Sequence, residues 1–187
     1  MSVLAPDGRP RCDWAVSTPD YLSYHDEDWG RPIRDDRGLF ERMTLESFQS
    51  GLSWLTILRK RPAFRTAFAE FEPAAVAAYG DDDFARLMAD AGIVRNRAKI
   101  TAAIANARAL LDLGDGRLTE LLWSFSPGPD RPAPRTLADV PATTPESVAM
   151  SKALKRSGFV FVGPTTCYAL MQATGMVNDH LADCAAR

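Results

Sequence analysis

Histidine and cysteine are scarce in this sequence. Of its 187 residues, two are histidine and three are cysteine. Three cysteines cannot all be paired, which excludes the dense disulfide framework of small secreted domains. No apolar run approaches the roughly 20 residues that cross a bilayer. The first residues also lack the apolar core of a signal peptide. We therefore expect a cytoplasmic protein whose reduced cysteines serve as metal ligands or as core residues.

A strong excess of charge of either sign is also missing, since the formal net charge is −2. The small sum conceals three segments that contain basic residues and no acidic one, which are residues 57–66, 92–111 and 147–178. Such clusters are usually solvated helix faces, but three of them could also converge on one surface that meets phosphates. Charge alone favours the first interpretation.

Hydrophobic periodicity predicts helices over most of the chain. Pro62 is expected to stop one helix and to open the next, and Gly92 to end a helix in the left-handed conformation. Only the run FVFVG (residues 159–163) resembles a strand, and one strand cannot form a sheet. The predicted fold class is all-α, with residues 1–11 as a flexible tail and residues 12–187 as a single domain.

A tight chain reversal is predicted between two helices at residues 92–94. Gly92 permits a sharp turn, and the apolar Ile93 can anchor it in the core. The helix that follows begins with a basic turn, and its free backbone N–H groups and positive dipole end suit a DNA phosphate. Such a contact holds the DNA backbone without reading a base. A plain helical hairpin is equally common, so the spacing leaves both interpretations open.

One carboxylate falls on an apolar helix face. At about 100° per residue, Glu46 shares one arc of the helical wheel of residues 37–51 with Leu39 and Met43. A carboxylate in that position must be paired, reach solvent or line a pocket. A salt bridge to Arg42, four residues earlier, is the simplest of these interpretations.

Tryptophan and tyrosine concentrate in the first 54 residues. The chain contains four of each, and five of the eight are found there. Such a group could wall a pocket that stacks a flat base, although it belongs more often to a core. The five are Trp14, Tyr21, Tyr24, Trp29 and Trp54.

The scarce histidines and two of the cysteines fall near the two ends of the chain. Cys12 and His25 lie near the amino terminus, and His180 and Cys184 near the carboxyl terminus. Two thiolates and two imidazoles form a set that Zn²⁺ accepts in tetrahedral structural sites. If all four bind, no coordination position is left for water, and the metal would fasten the termini without catalysing a reaction. An incidental histidine in a disordered tail is the alternative.

Five motifs resemble, in chain order, those of the 3-methyladenine DNA glycosylase I family of the helix-hairpin-helix superfamily. They are RCDWAVSTPDYLSYHDEDWG, FERMTLESFQSGLSW, DAGIVRNRAKI, SKALKRSGFVFVG and GMVNDH. The resemblance covers nearly everything from Arg11 to Cys184. It implies an all-α, two-lobed protein that flips N3-methyladenine out of alkylated duplex DNA. Such an enzyme hydrolyses the N-glycosidic bond without lyase activity and releases free 3-methyladenine, and a monomer suits it.

The resemblance also implies roles for individual residues. One structural Zn²⁺ would join the termini through Cys12, His25, His180 and Cys184. The catalytic and base-binding carboxylate would be Glu46, and the base would be surrounded by Trp14, Tyr21, Tyr24 and Trp54. Residues that fill the gap in the duplex would be Gly51 and Leu52. The phosphate backbone would be held by Gly92, Ile93, Arg95, Arg97 and Lys99.

The implied mechanism needs no catalytic aspartate. Alkylation at N3 leaves the base cationic and therefore a good leaving group, so the enzyme has mainly to extract it and to prefer it to adenine. Glu46 would accept a hydrogen bond from the exocyclic amine, and aromatic faces would each add about 0.5–2 kcal/mol of cation–π attraction. Two rival classes are a zinc hydrolase or deaminase with an open coordination position and a DNA-binding module without enzymatic activity.

Overall fold

The chain folds mainly into helices. The computed structural model describes residues 1–128 and 131–187. Two short strands, β1 (Val3–Leu4) and β2 (Pro10–Arg11), pair in an antiparallel hairpin. The mostly helical fold predicted from the sequence is confirmed, and none of the helices in these residues is long and apolar enough to cross a membrane. They are α1 (Pro19–Glu27), α2 (Asp36–Gln49), α3 (Trp54–Ala67), α4 (Pro73–Ala77), α5 (Asp81–Ala89), α6 (Arg97–Leu113), α7 (Arg117–Trp123), α8 (Pro145–Arg156) and α9 (Pro164–Ala173).

Side-chain caps determine where several helices begin. At the start of α2, the Asp35 carboxylate accepts a hydrogen bond from the Gly38 N–H at 2.8 Å. At the start of α6, the Asn96 side-chain oxygen accepts one from the Lys99 N–H at 3.1 Å. Each cap satisfies a backbone N–H that has no partner within its own helix. The caps therefore fix the first turn of the two helices that matter most for the site.

Helix α2 runs through the middle of the core. All ten residues from Leu39 to Phe48 are buried, and the helix packs against α3, α6, α7 and α9. From Phe48, a row of aromatic rings continues through Phe64 and Phe68 to Phe71, with centroids 4.8, 6.1 and 5.7 Å apart. Rings at these separations add to the gain from burial. Because no face of α2 meets solvent freely, each of its polar side chains needs an internal partner or a cavity.

Pro62 does not end a helix, contrary to the prediction. Helix α3 continues through it from Trp54 to Ala67. The missing N–H of a proline leaves one helical carbonyl without its usual donor. However, Ile57 and Phe64 lie seven residues apart on one face of the helix, and both are fully buried. Burying both requires a continuous helix, so tertiary packing outweighs the local preference.

Residues 159–163 do not form a strand, and that prediction is wrong as well. The backbone of Val160 pairs with a side chain instead, since its N–H donates to Asn106 Oδ1 at 2.8 Å and its carbonyl accepts from Asn106 Nδ2 at 3.0 Å. The apolar run reflects the burial of Phe159 and Val162 on either side. Asn106 of α6 thus takes the place of a partner strand.

Gly92 does not adopt the left-handed conformation that the sequence predicted. Glycine is needed there for space, because a Cβ atom would lie 3.0 Å from the Cβ of Ala63 and 2.9 Å from Oδ1 of Asp90. The Gly92 N–H donates to that same Asp90 oxygen at 2.7 Å. The reversal between α5 and α6 therefore depends on close contact with α3 and on one side-chain hydrogen bond.

The two ends of the chain lie side by side. The Ala185 N–H donates to the Pro10 carbonyl at 2.8 Å. A second, small apolar cluster joins the ends, formed by Cys12, Leu181 and Cys184. Residues 1–11 thus contain a short hairpin that touches the carboxyl terminus, while the flexibility expected of them and the two-lobed form of residues 12–187 stay predictions.

Gly175 offers a test of how closely the segment after α9 packs. Its φ is +72°, and a Cβ atom would lie 2.7 Å from the Gly30 carbonyl oxygen and 2.8 Å from the Pro32 nitrogen. Gly116 is a matched control, with a φ of +73° and open space around it. We expect Gly116→Ala to lower the free energy of unfolding by about 1–2 kcal/mol. Gly175→Ala should lower the free energy of unfolding by a further ~1–3 kcal/mol, because the added methyl group overpacks the site.

The measurement is equilibrium unfolding in urea for the wild type and both variants under one set of conditions. Equal losses for the two glycines would contradict the close backbone contact at Gly175.

Candidate functional site

A pocket opens between α1, α2, α3, α9 and the 3-10 turn of residues 13–17. Its volume is about 380 Å³, which lies within the range of small-molecule sites. All five residues predicted to surround a base line this single pocket. The residues that line it are Trp14, Ser17, Tyr21, Tyr24, Trp29, Glu46, Gln49, Trp54, Ala169 and Gln172.

The aromatic walls of the pocket are held by contacts with one another and with the backbone. Trp14 meets Tyr21 edge-to-face at a centroid distance of 5.6 Å, and Tyr24 lies 5.4 Å from Trp54. The Tyr21 hydroxyl accepts a hydrogen bond from the Leu55 N–H at 3.0 Å, a first-turn donor of α3 that has no helical partner. These contacts fix the ring faces in place before any ligand enters.

Glu46 brings a carboxylate into this aromatic pocket. Its side chain is only 5% exposed, and among the described residues no hydrogen bond or ion pair reaches its oxygens. Burial raises the pKa of Glu46 to about 7, and the positive charge of Arg42 opposes that rise. A buried carboxylate without a hydrogen-bond partner is costly, and its position is therefore suited to a ligand that brings a donor or a positive charge.

The salt bridge between Arg42 and Glu46, the simplest interpretation of the sequence, is not formed. Arg42 is 1% exposed and pairs with Asp28 instead, and its guanidinium lies 5.7 Å from the centre of the Tyr24 ring. Burial lowers the pKa of Arg42 to about 10, so the group remains a cation at neutral pH. Asp28 also binds Arg61. Arg42 thus acts on Glu46 through its charge, and its guanidinium lies over the Tyr24 ring. Spacing alone did not reveal these contacts.

Helix α9 also contributes to the pocket, which was not predicted from the sequence. Gln172 lines the cavity, and its amide Nε2 donates to the buried carboxylate of Asp179 at 2.9 Å. The Tyr168 hydroxyl donates to the same carboxylate at 2.6 Å. A signal was present, because Gln172 is the one amide in an otherwise apolar helical run, CYALMQA. A polar residue on such a face needs a partner or a cavity, and here it has both.

Three of the four predicted metal ligands meet at the joined termini. The ligand atoms of Cys12, His25 and Cys184 all lie within 4.8 Å of one another, and all three residues are buried. Cys184 Sγ is 3.5 Å from Nε2 of His25. The Leu181 N–H points to the Cys12 sulfur at 3.4 Å, as backbone donors do around metal-bound thiolates. The cluster has the ligand types and burial of a metal site.

The fourth predicted ligand, His180, lies beside this cluster but outside the set of three. Its ring centroid is 4.7 Å from that of His25, and its Nε2 is buried without a partner in the described part of the chain. Nδ1 of His180 lies 2.9 Å from the side-chain oxygen of Asn178, and Nδ1 of His25 lies 2.7 Å from a carboxylate oxygen of Asp26. Burial lowers the pKa of His180 to about 4. Neutral rings oriented in this way suit a metal, so the residues present fit such an ion.

The residues predicted to contact DNA fall into two groups. Gly51, with a φ of +82°, and Leu52, 39% exposed, form the turn that follows α2. Arg95 and Arg97 are exposed at the start of α6, whereas Ile93 and Lys99 are buried and Gly92 is half-buried. Whether they bind DNA stays a prediction.

The ammonium of Lys99 links these two groups. It donates to the carbonyls of Phe48 and Ser50, at 2.8 and 2.6 Å. Burial lowers the pKa of Lys99, and two carbonyl acceptors offset part of its lost hydration. Lys99 therefore ties the start of α6 to the end of α2, directly before the turn at Gly51 and Leu52.

Comparisons with known proteins agree with this geometry. The methyladenine glycosylase family model matches residues 14–187. DNA-3-methyladenine glycosylase 1 from Escherichia coli (strain K12) is 47% identical over 177 residues, which cover 93% of this chain and 95% of that protein. A DNA-3-methyladenine glycosylase from Haemophilus influenzae is 43% identical, over 93% of this chain and 96% of the relative.

Solved structures give the same result. A crystal structure of 3-methyladenine DNA glycosylase I superposes with a TM-score of 0.89 at 46% identity, covering 94% of this chain and 98% of that one. A single-residue variant of 3-methyladenine DNA glycosylase I, solved in complex with 3-methyladenine, has a TM-score of 0.88 at 37% identity and covers 94% and 96% of the two chains. Since the family model spans nearly the whole sequence and the relatives align over almost their full length, the chain belongs to the methyladenine glycosylase family.

Proposed function

We propose that the chain is an N-glycosidase that releases 3-methyladenine from alkylated duplex DNA and leaves an abasic site. The observation that carries this proposal is the buried carboxylate of Glu46 in a pocket walled by aromatic rings. An anion enclosed with π faces favours a flat, cationic ligand. Adenine that is methylated at its N3 atom and still bonded to the sugar is such a ligand. The names of the relatives, and the solved structure that holds 3-methyladenine, support the same activity.

The reaction needs little covalent assistance because the damaged base is already a good leaving group. When the bond between C1′ and N9 breaks, its electron pair neutralises the cationic base, which departs as 3-methyladenine. A water molecule adds to C1′ and loses a proton. No lysine is among the residues described as lining the pocket, so no amine there is placed to form a Schiff base. Hydrolysis without lyase activity is therefore the proposed reaction.

Recognition of the cation is assigned to Glu46 and the aromatic walls. Glu46 accepts a hydrogen bond from the exocyclic amine and places negative charge beside the ring. The faces of Trp14, Tyr21, Tyr24 and Trp54 add stacking and about 0.5–2 kcal/mol each of cation–π attraction. Unmethylated adenine offers no positive charge and has a stronger glycosidic bond, so it is disfavoured in binding and in cleavage. Extracting the base from the duplex costs a few kcal/mol, which this recognition offsets.

The turn after α2 is proposed to enter the duplex at the lesion. Gly51 allows the sharp change of direction, and the exposed Leu52 would occupy the space left by the flipped nucleotide. Lys99 would act here indirectly, because it holds the carbonyls of Phe48 and Ser50 that precede the turn.

Helices α5 and α6 with their reversal are proposed to form a helix-hairpin-helix element that binds the phosphate backbone. The backbone at Gly92 and Ile93 and the exposed side chains of Arg95 and Arg97 would contribute to this contact. It requires one copy of the chain, so a monomer is proposed. The cytoplasmic location expected from the sequence stays a prediction.

One structural Zn²⁺ is the metal proposed for the cluster at the termini. Cys12, His25, His180 and Cys184 would fill a tetrahedral shell, and two thiolates would neutralise the charge of the ion. A full shell leaves no position at which water could be activated. The metal would therefore supply stability, by holding the first and last segments together beside the pocket, and not chemistry.

Glu46 variants test the assignment of the pocket. Glu46→Gln keeps the shape of the side chain but removes the negative charge, so release of 3-methyladenine should fall by roughly 100-fold, and Glu46→Ala should lose as much. Glu120→Gln is a control, because Glu120 is 66% exposed and lies on α7. The measurement is single-turnover base release from DNA methylated at N3 of adenine. Near wild-type release by the Glu46 variants would contradict the assignment.

Arg42 variants test whether this residue sets the charge of Glu46. If base release needs ionised Glu46, the rate should fall as the pH drops through its pKa of about 7. Arg42→Met removes the charge that lowers this pKa, so the pKa rises and the acid limb should move to higher pH, by about one unit. Arg42→Lys keeps the charge and should leave the limb near its original position. The pH profiles of the three proteins are compared, and an unchanged limb in Arg42→Met would refute the idea.

Cysteine variants test the metal site. The purified wild type should hold one Zn²⁺ per chain, and Cys184→Ala should lose both the metal and several kcal/mol of stability, since the binding energy of structural zinc is coupled to folding. Cys167→Ala is a matched control, because Cys167 is equally buried but outside the cluster. It should keep its zinc and show only the smaller loss that follows a small cavity. Metal content is measured by atomic spectroscopy and stability by thermal unfolding. A wild type without zinc that is as stable as the zinc-loaded protein would overturn the proposal.

A further inference from the structure

A strained and exposed aromatic residue lies outside the pocket. Phe161 has a φ of +56°, a left-handed conformation that residues with a Cβ atom rarely adopt. Its side chain is 42% exposed, and that of Val160 is 43% exposed. Strain of this kind persists only where the surrounding structure enforces it, and it is concentrated at functional sites.

The surroundings of Phe161 do enforce this conformation. Asn106 holds both the N–H and the carbonyl of Val160. The Ser47 hydroxyl, which donates to the Met43 carbonyl at 2.8 Å, also lies 3.2 Å from the Phe161 carbonyl. The Val162 carbonyl accepts from Ser151 at 2.6 Å. The residues on either side of the exposed pair, Phe159 and Val162, are buried. Phe161 is therefore a rigidly presented side chain and not part of a loose loop.

Phe161 and the proposed DNA contacts lie close together. With Val160 it forms one side of a groove of about 520 Å³, and Arg97 and the small residues that follow it on one face of α6 form the other. Ser47, whose hydroxyl lies near that carbonyl, is in the last turn of α2, shortly before the turn that contains Leu52. Lys99 connects α6 to that same turn. Phe161 thus stands between the start of α6 and the turn after α2.

We propose that Phe161 is a DNA-contacting residue whose ring packs on the sugars and base edges of the duplex. The proposal rests on the function proposed above. A duplex is favoured over a protein partner because Arg97 lines the groove and the exposed Lys155 and Arg156 end the preceding helix, α8, with no acidic residue between positions 147 and 178. An apolar ring beside a cation fits a surface of sugars between phosphates. Strain held in the free protein means that little ordering is left for the moment of binding.

Two substitutions at Phe161 separate this role from a structural one. Phe161→Ala removes the ring, and Phe161→Gly removes both the ring and the backbone strain. Both should weaken binding to a duplex that carries a tetrahydrofuran abasic-site analogue by about 10-fold. Phe161→Gly should nevertheless unfold at a temperature equal to or above that of the wild type. Leu111→Ala is the matched control, because Leu111 is 48% exposed near the other end of α6 and should leave duplex binding unchanged.

The salt dependence of binding identifies the kind of contact. Loss of an apolar contact should leave the slope of log K against log salt unchanged, whereas Arg97→Met should reduce that slope by about one. Both Phe161 variants should bind free 3-methyladenine as tightly as the wild type, because the residue does not line the base pocket.

Duplex affinity of both Phe161 variants within twofold of the wild type would overturn the proposal, and so would a loss matched by Leu111→Ala. A fall in both affinity and unfolding temperature for Phe161→Gly would assign the residue a structural role instead. Failure of the proposed function would be seen separately, as a wild type that releases no base from methylated DNA.

Discussion

The burial of α2 from Leu39 to Phe48 is the constraint on which the site depends. A helix enclosed on every side can carry a charged residue only where a partner or a cavity receives it. Arg42 and Glu41 meet this requirement through ion pairs with Asp28 and Arg61. Glu46 has no such pair and faces the pocket instead. The same packing that makes α2 the centre of the core therefore determines which of its carboxylates is available to a ligand.

The charge of Glu46 results from two opposing effects of that environment. Burial disfavours the ionised form, and the cation of Arg42 favours it, which leaves the pKa near neutrality. A cationic ligand would complete the balance, since it removes the penalty for the buried anion. Selectivity for a cationic base would then follow from the apolar surroundings of the carboxylate, because in open water the same pair of charges would attract only weakly.

The joined termini and the pocket share aromatic side chains. Trp14 follows Cys12 closely in the chain and lies 5.2 Å from the His25 ring, and Trp29 lies 4.6 Å from that of His180. Both tryptophans line the pocket. A metal that fixes the two histidines would thus also fix one wall of the pocket. The joined termini and the pocket are therefore linked through these rings.

The sequence by itself determined the mostly helical fold, the aromatic residues of the pocket, the carboxylate of Glu46 and the grouping of Cys12, His25 and Cys184. Helical periodicity, residue chemistry and family motifs are local signals, and each can be read without knowing what lies across the core. Only the tertiary structure decided whether α3 would pass through Pro62, because that depends on the simultaneous burial of Ile57 and Phe64.

The partners of the charged and exposed residues were likewise decided by the tertiary structure. Arg42 pairs with Asp28 and not with Glu46, and Lys99 turns inward to the carbonyls at the end of α2. The backbone beside Phe161 is held by Asn106, which is 54 positions away from Val160 in the sequence. Helical spacing specifies which residues share a face, but it does not specify which distant segment packs against that face. Long-range packing therefore completed the site that local pattern had only outlined.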